Sequence, residues 1–312
     1  MHEEITIPEL TEVVARVAAL LGPREGAVVA LDGGITNRNF RVRFGGTDYV
    51  VRLPGKDTAL LGIDREAECT ANKLAADLGI APPVAAFIES PPCLITRFVP
   101  GRELTAEELR EPDKLAEVAR ALRTFHDSGA ELPVEFDSFR IVEDYASTAT
   151  ARGGETPPEF AQALARAQAI RDAVSGHEEH RPVPCHDDLL SANFLHDGEH
   201  VRIVDWEYAG MGDRYFDLGN FAVNNELDAD AGDALLEAYF GEPATDRRRA
   251  ALALFRYMSD FREAMWGVVQ TAVSDIDFDF ADYARRHFVR LSAAGEDPRF
   301  EARLQEARAG GP

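Results

Sequence analysis

Hydrophobic positions in "PELTEVVARVAALL" (residues 8–21) recur three and four apart, the spacing of a helix that buries one face, and Pro8 suits its first turn. The period then changes. "AVVAL", "NFRVRF" and "DYVVRL" read as strands, with Gly33-Gly34 and Gly45-Gly46 at the turns and the second turn closing a hairpin. Helical spacing returns over "DREAECTANKLAADLGI" (residues 64–80), which Gly79 closes and Pro82-Pro83 follows. "PVAAFIE" and "CLITRFV" predict two further strands on either side of Pro91-Pro92.

Beyond "PGREL" at 100–104 the pattern turns helical. "TAEELREPDKLAEVARALRTFHDSG", "PPEFAQALARAQAIRDAVS", "DALLEAYFG", "RRRAALALFRYMSDFREAMWGVVQTAV" and "FADYARRHFVRLSAAG" all read as amphipathic or buried helices. The exception is residues 185–210, "CHDDLLSANFLHDGEHVRIVDWEYAG", where "NFL" and "VRIVDW" resemble short apolar strands. The expected fold class is therefore α+β: a small β-rich N-terminal lobe (1–99), a short linker near 97–103, and a larger, mostly helical C-terminal lobe (100–312). Ligands favour clefts between lobes.

Length supports two lobes, since 312 residues exceed the roughly 250–300 at which a single core stops growing. Charge removes whole classes of partner. A net charge of -22 would repel nucleic acid and anionic membranes, and "DRRR" at 246–249 is the one basic run. An acidic surface suits a cationic small molecule, although solubility alone also accounts for it. The cysteines Cys69, Cys93 and Cys185 are far apart and form no CxxC, which reads as reduced thiols. The N-terminus has no signal-peptide pattern and no apolar run approaches a membrane span, so a cytoplasmic protein is expected.

The acidic residues of 185–210 stand beside strands, where a bare carboxylate is costly. Their spacing supplies a use. Transfer of a phosphoryl group from ATP needs Mg2+ on hard oxygen ligands, a carboxylate at the attacking hydroxyl, and cations on the phosphates. His186-x-Asp188-x4-Asn193, followed after an apolar strand by Asp205, has the order in which protein kinases place a catalytic Asp, an Asn five residues on, and a second metal-binding Asp. Cys185 beside His186 is a small buried residue rather than a nucleophile. "SDIDFDF" (274–280) lacks the glycine and closing glutamate of a Ca2+ loop.

Taken with "GGITNRNFRV", "YVVRLPG", "IVDWEYAGMGDRYFDLGNF" and "WGVVQTAVSDIDFDFADYARRHF", this segment resembles the choline/ethanolamine kinase family, within the aminoglycoside-phosphotransferase and protein-kinase-like fold, over roughly residues 28–290. The resemblance implies ATP and Mg2+ as cofactors. It makes Asp188 the base or orienting carboxylate, with His186 bracing the loop. Asn193 and Asp205 become Mg2+ ligands, Glu207 a further metal-side carboxylate, and Asp217 the support for the loop backbone. In the first lobe Gly33, Gly34, Thr36, Asn37 and Asn39 would form the phosphate-covering turn. Arg52 would grip phosphate oxygens, held by Glu68 with Glu66 as competitor. Adenine is expected against Ile95–Val99, with Ile95, Thr96 and Phe98 as contacts.

The acceptor is expected near Trp266, Tyr208 and Asn224, with Tyr215 as added aromatic surface. Where the resembling family carries a second Trp and a Glu, this chain has Val269 and Asn224, so choline itself stays open. The resemblance thus implies an ATP- and Mg-dependent kinase of a small alcohol, such as choline or ethanolamine. Another polar alcohol (an aminoglycoside, thiamine or a sugar) and a non-catalytic nucleotide-binding scaffold are the alternatives. The expected partner is a small, cationic alcohol, with neither nucleic acid nor membrane, and a homodimer is left open.

Overall fold

A computed structural model describes residues 8–31, 37–55 and 58–309. The chain runs through α1 (Pro8–Leu21), β1 (Arg24–Leu31), β2 (Asn37–Phe44), β3 (Thr47–Pro54), α2 (Arg65–Asp77), β4 (Val84–Glu89), β5 (Pro92–Arg97) and β6 (Arg102–Glu103). Then follow α3 (Ala106–Leu109), α4 (Pro112–His126), α5 (Ser138–Ala151), α6 (Phe160–Val174) and β7 (Val183–Cys185). The rest comprises β8 (Phe194–His196), β9 (Val201–Ile203), β10 (Gly210–Gly212), α7 (Arg214–Asn224), α8 (Ala229–Phe240), α9 (Asp246–Val273), α10 (Phe280–Gly295) and α11 (Phe300–Arg308).

Two compact units result. The first holds the described residues up to Glu103 together with Phe194–Glu207; the second holds Leu104–Asn193 and the described residues from Tyr208 on. In the first unit an antiparallel sheet in the order β1-β2-β3-β5-β4 carries α1 on one face. Phe40, Val42 and Phe44 of β2, Tyr49, Val51 and Leu53 of β3, and Cys93 and Ile95 of β5 share one core with Leu10, Val13 and Val17 of α1. Asp64 caps α2 by accepting from the N–H groups of Glu66 and Ala67, which explains where that helix starts.

The single boundary expected at 99/100 differs from this division. Residues 194–207 lie in the first unit because β8 pairs with both β6 and β9, and the Ile203 N–H donates to the Ile80 carbonyl at 2.9 Å. Asp205 and Glu207 therefore belong with Arg52, whereas Asp188 and Asn193 belong to the second unit. That assignment rests on non-local pairing, to which hydrophobic periodicity is blind.

The second unit is built around α9, 28 residues long, against which α5, α7, α10 and α11 pack. Most of its residues between Ala250 and Gln270 are buried, as expected of a helix surrounded by others. The helix expected over 105–129 is two helices: Thr105 and Glu108 form a capping box for α3, and Pro112 starts α4 afresh. Helices α5, α7 and α11 and the short strands β6, β7 and β10 were not expected from the pattern.

Candidate functional site

Side chains two apart on a strand share a face, so those offset by one from the α1 core lie on the opposite side of the first unit's sheet. Asn37, Asn39, Arg52 and Thr96 are there; Asn39 stands opposite Arg52 across β2–β3, and Arg52 opposite Leu94 across β3–β5. The same alternation corrects one expectation. Ile95 is fully buried in the core shared with α1 and is not available to a nucleotide base. Half-buried Thr96 keeps the Arg52 side. Phe98 lies past β5 with the Arg41 guanidinium 4.3 Å over its ring. Gly33, Gly34 and Thr36 lie outside the described residues.

Arg52 is the centre of a charge network within the first unit. Its Nη1 donates to Glu68 Oε1 at 2.9 Å and to Asp205 Oδ1. Glu68, on α2, is 1% exposed and also accepts from Arg65 Nη1 at 2.8 Å. The competitor Glu66 is exposed, and its backbone N–H serves the Asp64 cap. Arg65 reaches on to Glu207 Oε2 at 3.0 Å and to Asn37 Oδ1 at 3.1 Å, and the Asn37 amide donates to Glu207 Oε2 at 2.8 Å. Burial alone would lower the Arg52 guanidinium, but Asp205, Glu68 and Glu207 outweigh it and hold the group raised and charged. Asn39 keeps a buried Oδ1 without a hydrogen-bond partner beside this network.

Asp205 follows β9 with φ at 68°, a left-handed conformation that costs an L-residue on the order of 1–2 kcal/mol. The Trp206 indole, donating to the Ile203 carbonyl at 3.0 Å, fixes the turn that carries Asp205 and Glu207. Asn193, Asp205 and Glu207 all present hard oxygen atoms of the kind Mg2+ takes, and each is held by a neighbouring hydrogen bond or ion pair.

In the second unit the loop after β7 is stapled from below by Asp217, a fully buried residue in the first turn of α7. Its oxygens accept from the backbone N–H groups of His186 (2.9 Å) and Asp187 (2.7 Å), and the His126 ring lies 2.9 Å away. Burial would raise this carboxyl, but the His126 hydrogen bond, the nearby imidazoles and the backbone donor hold it below the usual range. His186 Nδ1 accepts from the Asp188 N–H at 3.2 Å, which puts its proton on Nε2. The Leu189 N–H donates to Asn220, whose amide is in turn tied to Ser259.

The loop presents Asp188 and Asn193 together. The Asn193 amide nitrogen donates to the Asp188 carbonyl at 2.8 Å and approaches its carboxylate at 3.4 Å; its oxygen, the atom a hard cation would take, is not used in either contact. Asp187, between His186 and Asp188, adopts φ 67° and is fully buried with no hydrogen-bond partner of good geometry on either carboxyl oxygen. Burial, joined by the Asp217 and Asp188 charges, pushes its carboxyl well above the ordinary range; Arg262 and the Gly210 N–H oppose this only in part.

Of the residues expected near an acceptor, Trp266 donates from Nε1 to the Tyr208 hydroxyl at 2.8 Å, and both residues are buried. Trp266 packs edge-on against Phe280 and Tyr283. Asn224, half-buried at the end of α7, has a buried amide nitrogen without a partner. Tyr215 is fully buried with its hydroxyl on Glu179, which removes it from any acceptor surface. Val269 is fully buried.

Sequence reasoning missed Arg65, His126, Asn220, Arg262, Glu263 and Tyr283. Arg262 Nη1 lies 2.7 Å from Glu263 Oε1 and 3.7 Å from Asp188 Oδ1. Glu263 also accepts from the Tyr283 hydroxyl at 2.6 Å. A signal for that pair existed: adjacent opposite charges inside the otherwise apolar stretch "YMSDFREAMWGVV" need internal partners. Cys185, His126 and Asp217 lie within 4.8 Å of one another, but burial and the neighbouring carboxylates push the thiol far up, so it is inert.

The sequence profile of the phosphotransferase enzyme family matches residues 27–253. Ethanolamine kinase 2 of Rattus norvegicus is 30% identical over 269 residues, covering 75% of this chain and 66% of that protein, so the match spans just under two thirds of the relative. Protein LicA of Haemophilus influenzae is 26% identical, over 84% of this chain and 77% of its own. Among solved structures, a choline/ethanolamine kinase family protein from Mesorhizobium loti superimposes with a TM-score of 0.83 at 32% identity, covering 96% of this chain and 99% of that one.

Proposed function

The chain belongs to the phosphotransferase enzyme family, in its choline/ethanolamine kinase branch, and from that premise we propose that it transfers the γ-phosphoryl of MgATP to the hydroxyl of a small amino alcohol. One observation carries the reading: Asp188 is fixed beside the Asn193 amide on a loop whose backbone is clamped by Asp217 and His186. Such a loop holds a carboxylate in one place at an attacking hydroxyl, which is most of what phosphoryl transfer asks of a protein.

In this reading Asp188 accepts the hydrogen bond, and finally the proton, of the acceptor hydroxyl. Arg52, kept charged and oriented by Glu68, takes oxygen atoms of the triphosphate in its planar fork. Asn193, Asp205 and Glu207 would hold Mg2+, which when bound draws charge from the phosphoryl oxygens. The Arg52–Asp205 pair keeps both groups compensated before ligands arrive.

The reading is tested by ADP release from ATP with a panel of alcohols including ethanolamine and choline. Asp188→Ala and Asp205→Ala should each lower turnover by roughly a hundredfold or more, with circular dichroism unchanged. Turnover like that of the parent protein in either variant would overturn the assignment.

A further inference from the structure

The aromatic face expected to take a substrate cation is already covered by a cation of the protein itself. The Arg262 guanidinium carbon lies 4.2 Å from the centre of the Tyr208 ring, within cation–π range. Arg262 is 1% exposed and is locked there: Nη1 bonds Glu263 at 2.7 Å, and Glu263 is held from its other oxygen by Tyr283 at 2.6 Å. The remaining aromatic group is constrained as well. Trp266 is tied through its N–H to Tyr208 and edged by Phe280 and Tyr283, and Val269, three positions on, is aliphatic.

We propose that Arg262 sets acceptor specificity: by occupying one face of Tyr208 it denies that face to a trimethylammonium group and leaves the Glu263 carboxylate to read the acceptor's amine. The proposal deepens the kinase reading above and rests on it for the identity of the acceptor. A quaternary ammonium has no N–H to donate, so it depends on open aromatic faces and charge alone, and one such face contributes roughly threefold to thirtyfold in binding. A primary ammonium donates hydrogen bonds. The Glu263 carboxylate can accept them, since each carboxylate oxygen takes two bonds and its oxygens are engaged by Arg262 and Tyr283 once each. Arg262, beside the Glu263 carboxylate, favours its charged form and takes one of its acceptor positions. The acceptor class that fits is an alcohol bearing a hydrogen-bonding amine.

The test compares three alcohols on the purified full-length protein: ethanolamine, choline, and the carbon isostere of choline in which a quaternary carbon replaces the nitrogen. Binding is read by calorimetry and turnover by ADP release. Ethanolamine is expected to exceed choline about tenfold in kcat/KM, and the choline-to-isostere binding ratio of the parent protein is the baseline against which the variants are read. Choline turned over as well as ethanolamine, or better, overturns the proposal, because an amine read through its N–H donors loses them on trimethylation. In Arg262→Met the choline-to-isostere ratio should rise. Should that variant fail to fold, Arg262→Lys, which keeps the charge but loses the planar fork, serves as the second variant, and the comparison in the parent protein needs neither. Absence of ADP release with every alcohol, with the binding order kept, overturns the kinase reading and supports the role of Arg262. Turnover of choline equal to or above that of ethanolamine does the reverse. Failure of all three alcohols to bind overturns both.

Discussion

Replacing Asp187 by Asn changes one carboxyl oxygen into an amide nitrogen at a fully buried position with left-handed backbone. Both aspects favour the variant. Asn tolerates φ near 67° at least as well as Asp, and a neutral amide escapes the penalty that burial and the Asp217 charge impose on a carboxylate. The sign follows from proton linkage. The folded carboxyl titrates well above its ordinary value of 3.8, so between that value and the raised one the folded chain binds more protons than the unfolded chain. Stability contributed by Asp187 is therefore full in acid and is lost as pH rises, by about 1.4 kcal/mol for each pH unit. The amide of the Asp187→Asn variant does not titrate, so that protein loses nothing at this position on the same climb. From pH 4 to pH 7 the advantage of Asp187→Asn should grow to at most about 4 kcal/mol, the ceiling set by a group that stays protonated throughout. Urea unfolding followed by the fluorescence of Trp206 and Trp266, repeated at several pH values, reads this directly. A stability difference that does not change with pH, or a variant less stable than the parent at pH 7, would refute the argument that Asp187 is held neutral.

Asp217 has the opposite sign. Its folded carboxyl is lowered, so its contribution is present above the ordinary aspartate range and fades as pH falls. Asp217→Asn turns an N–H donor toward one of the donors now satisfied by this carboxylate on His186, Asp187 and His126, at a cost of about 2–4 kcal/mol at pH 7 that narrows only as pH falls below about 4, measured by the same unfolding experiment. Glu68→Gln leaves Arg52 and Arg65 buried without their shared carboxylate, which should cost about 3 kcal/mol of unfolding free energy in urea and raise the KM for ATP more than it lowers kcat. An unchanged KM would separate Arg52 from the nucleotide.

The helices and strands of the first hundred residues were legible because burial there is one-sided and local: apolar residues alternate on β2 and β3 and recur at helical spacing on α1. That one of Glu66 and Glu68 would face the sheet was legible, since two residues separated by two helix positions cannot both do so; that it is Glu68 only the packing shows. Ile95 was misread for a related reason. A continuous apolar run such as "CLITRFV" does not reveal which of its alternate positions meets α1, and the sheet register decides.

The spacing of His186, Asp188, Asn193 and Asp205 marks a phosphoryl-transfer pattern without tertiary information, because it lies within a short stretch of chain. Which groups those residues answer to comes from long-range packing. Asp205 joins Arg52 from 153 positions away, Asp217 clamps the loop from 30 and 31 positions away, and Arg262 arrives on a helix that periodicity marks as simple core. The physical reason is that a buried charge is stable only where packing brings its counter-charge, and a pairing energy that depends on distance in space leaves no periodic trace along the chain.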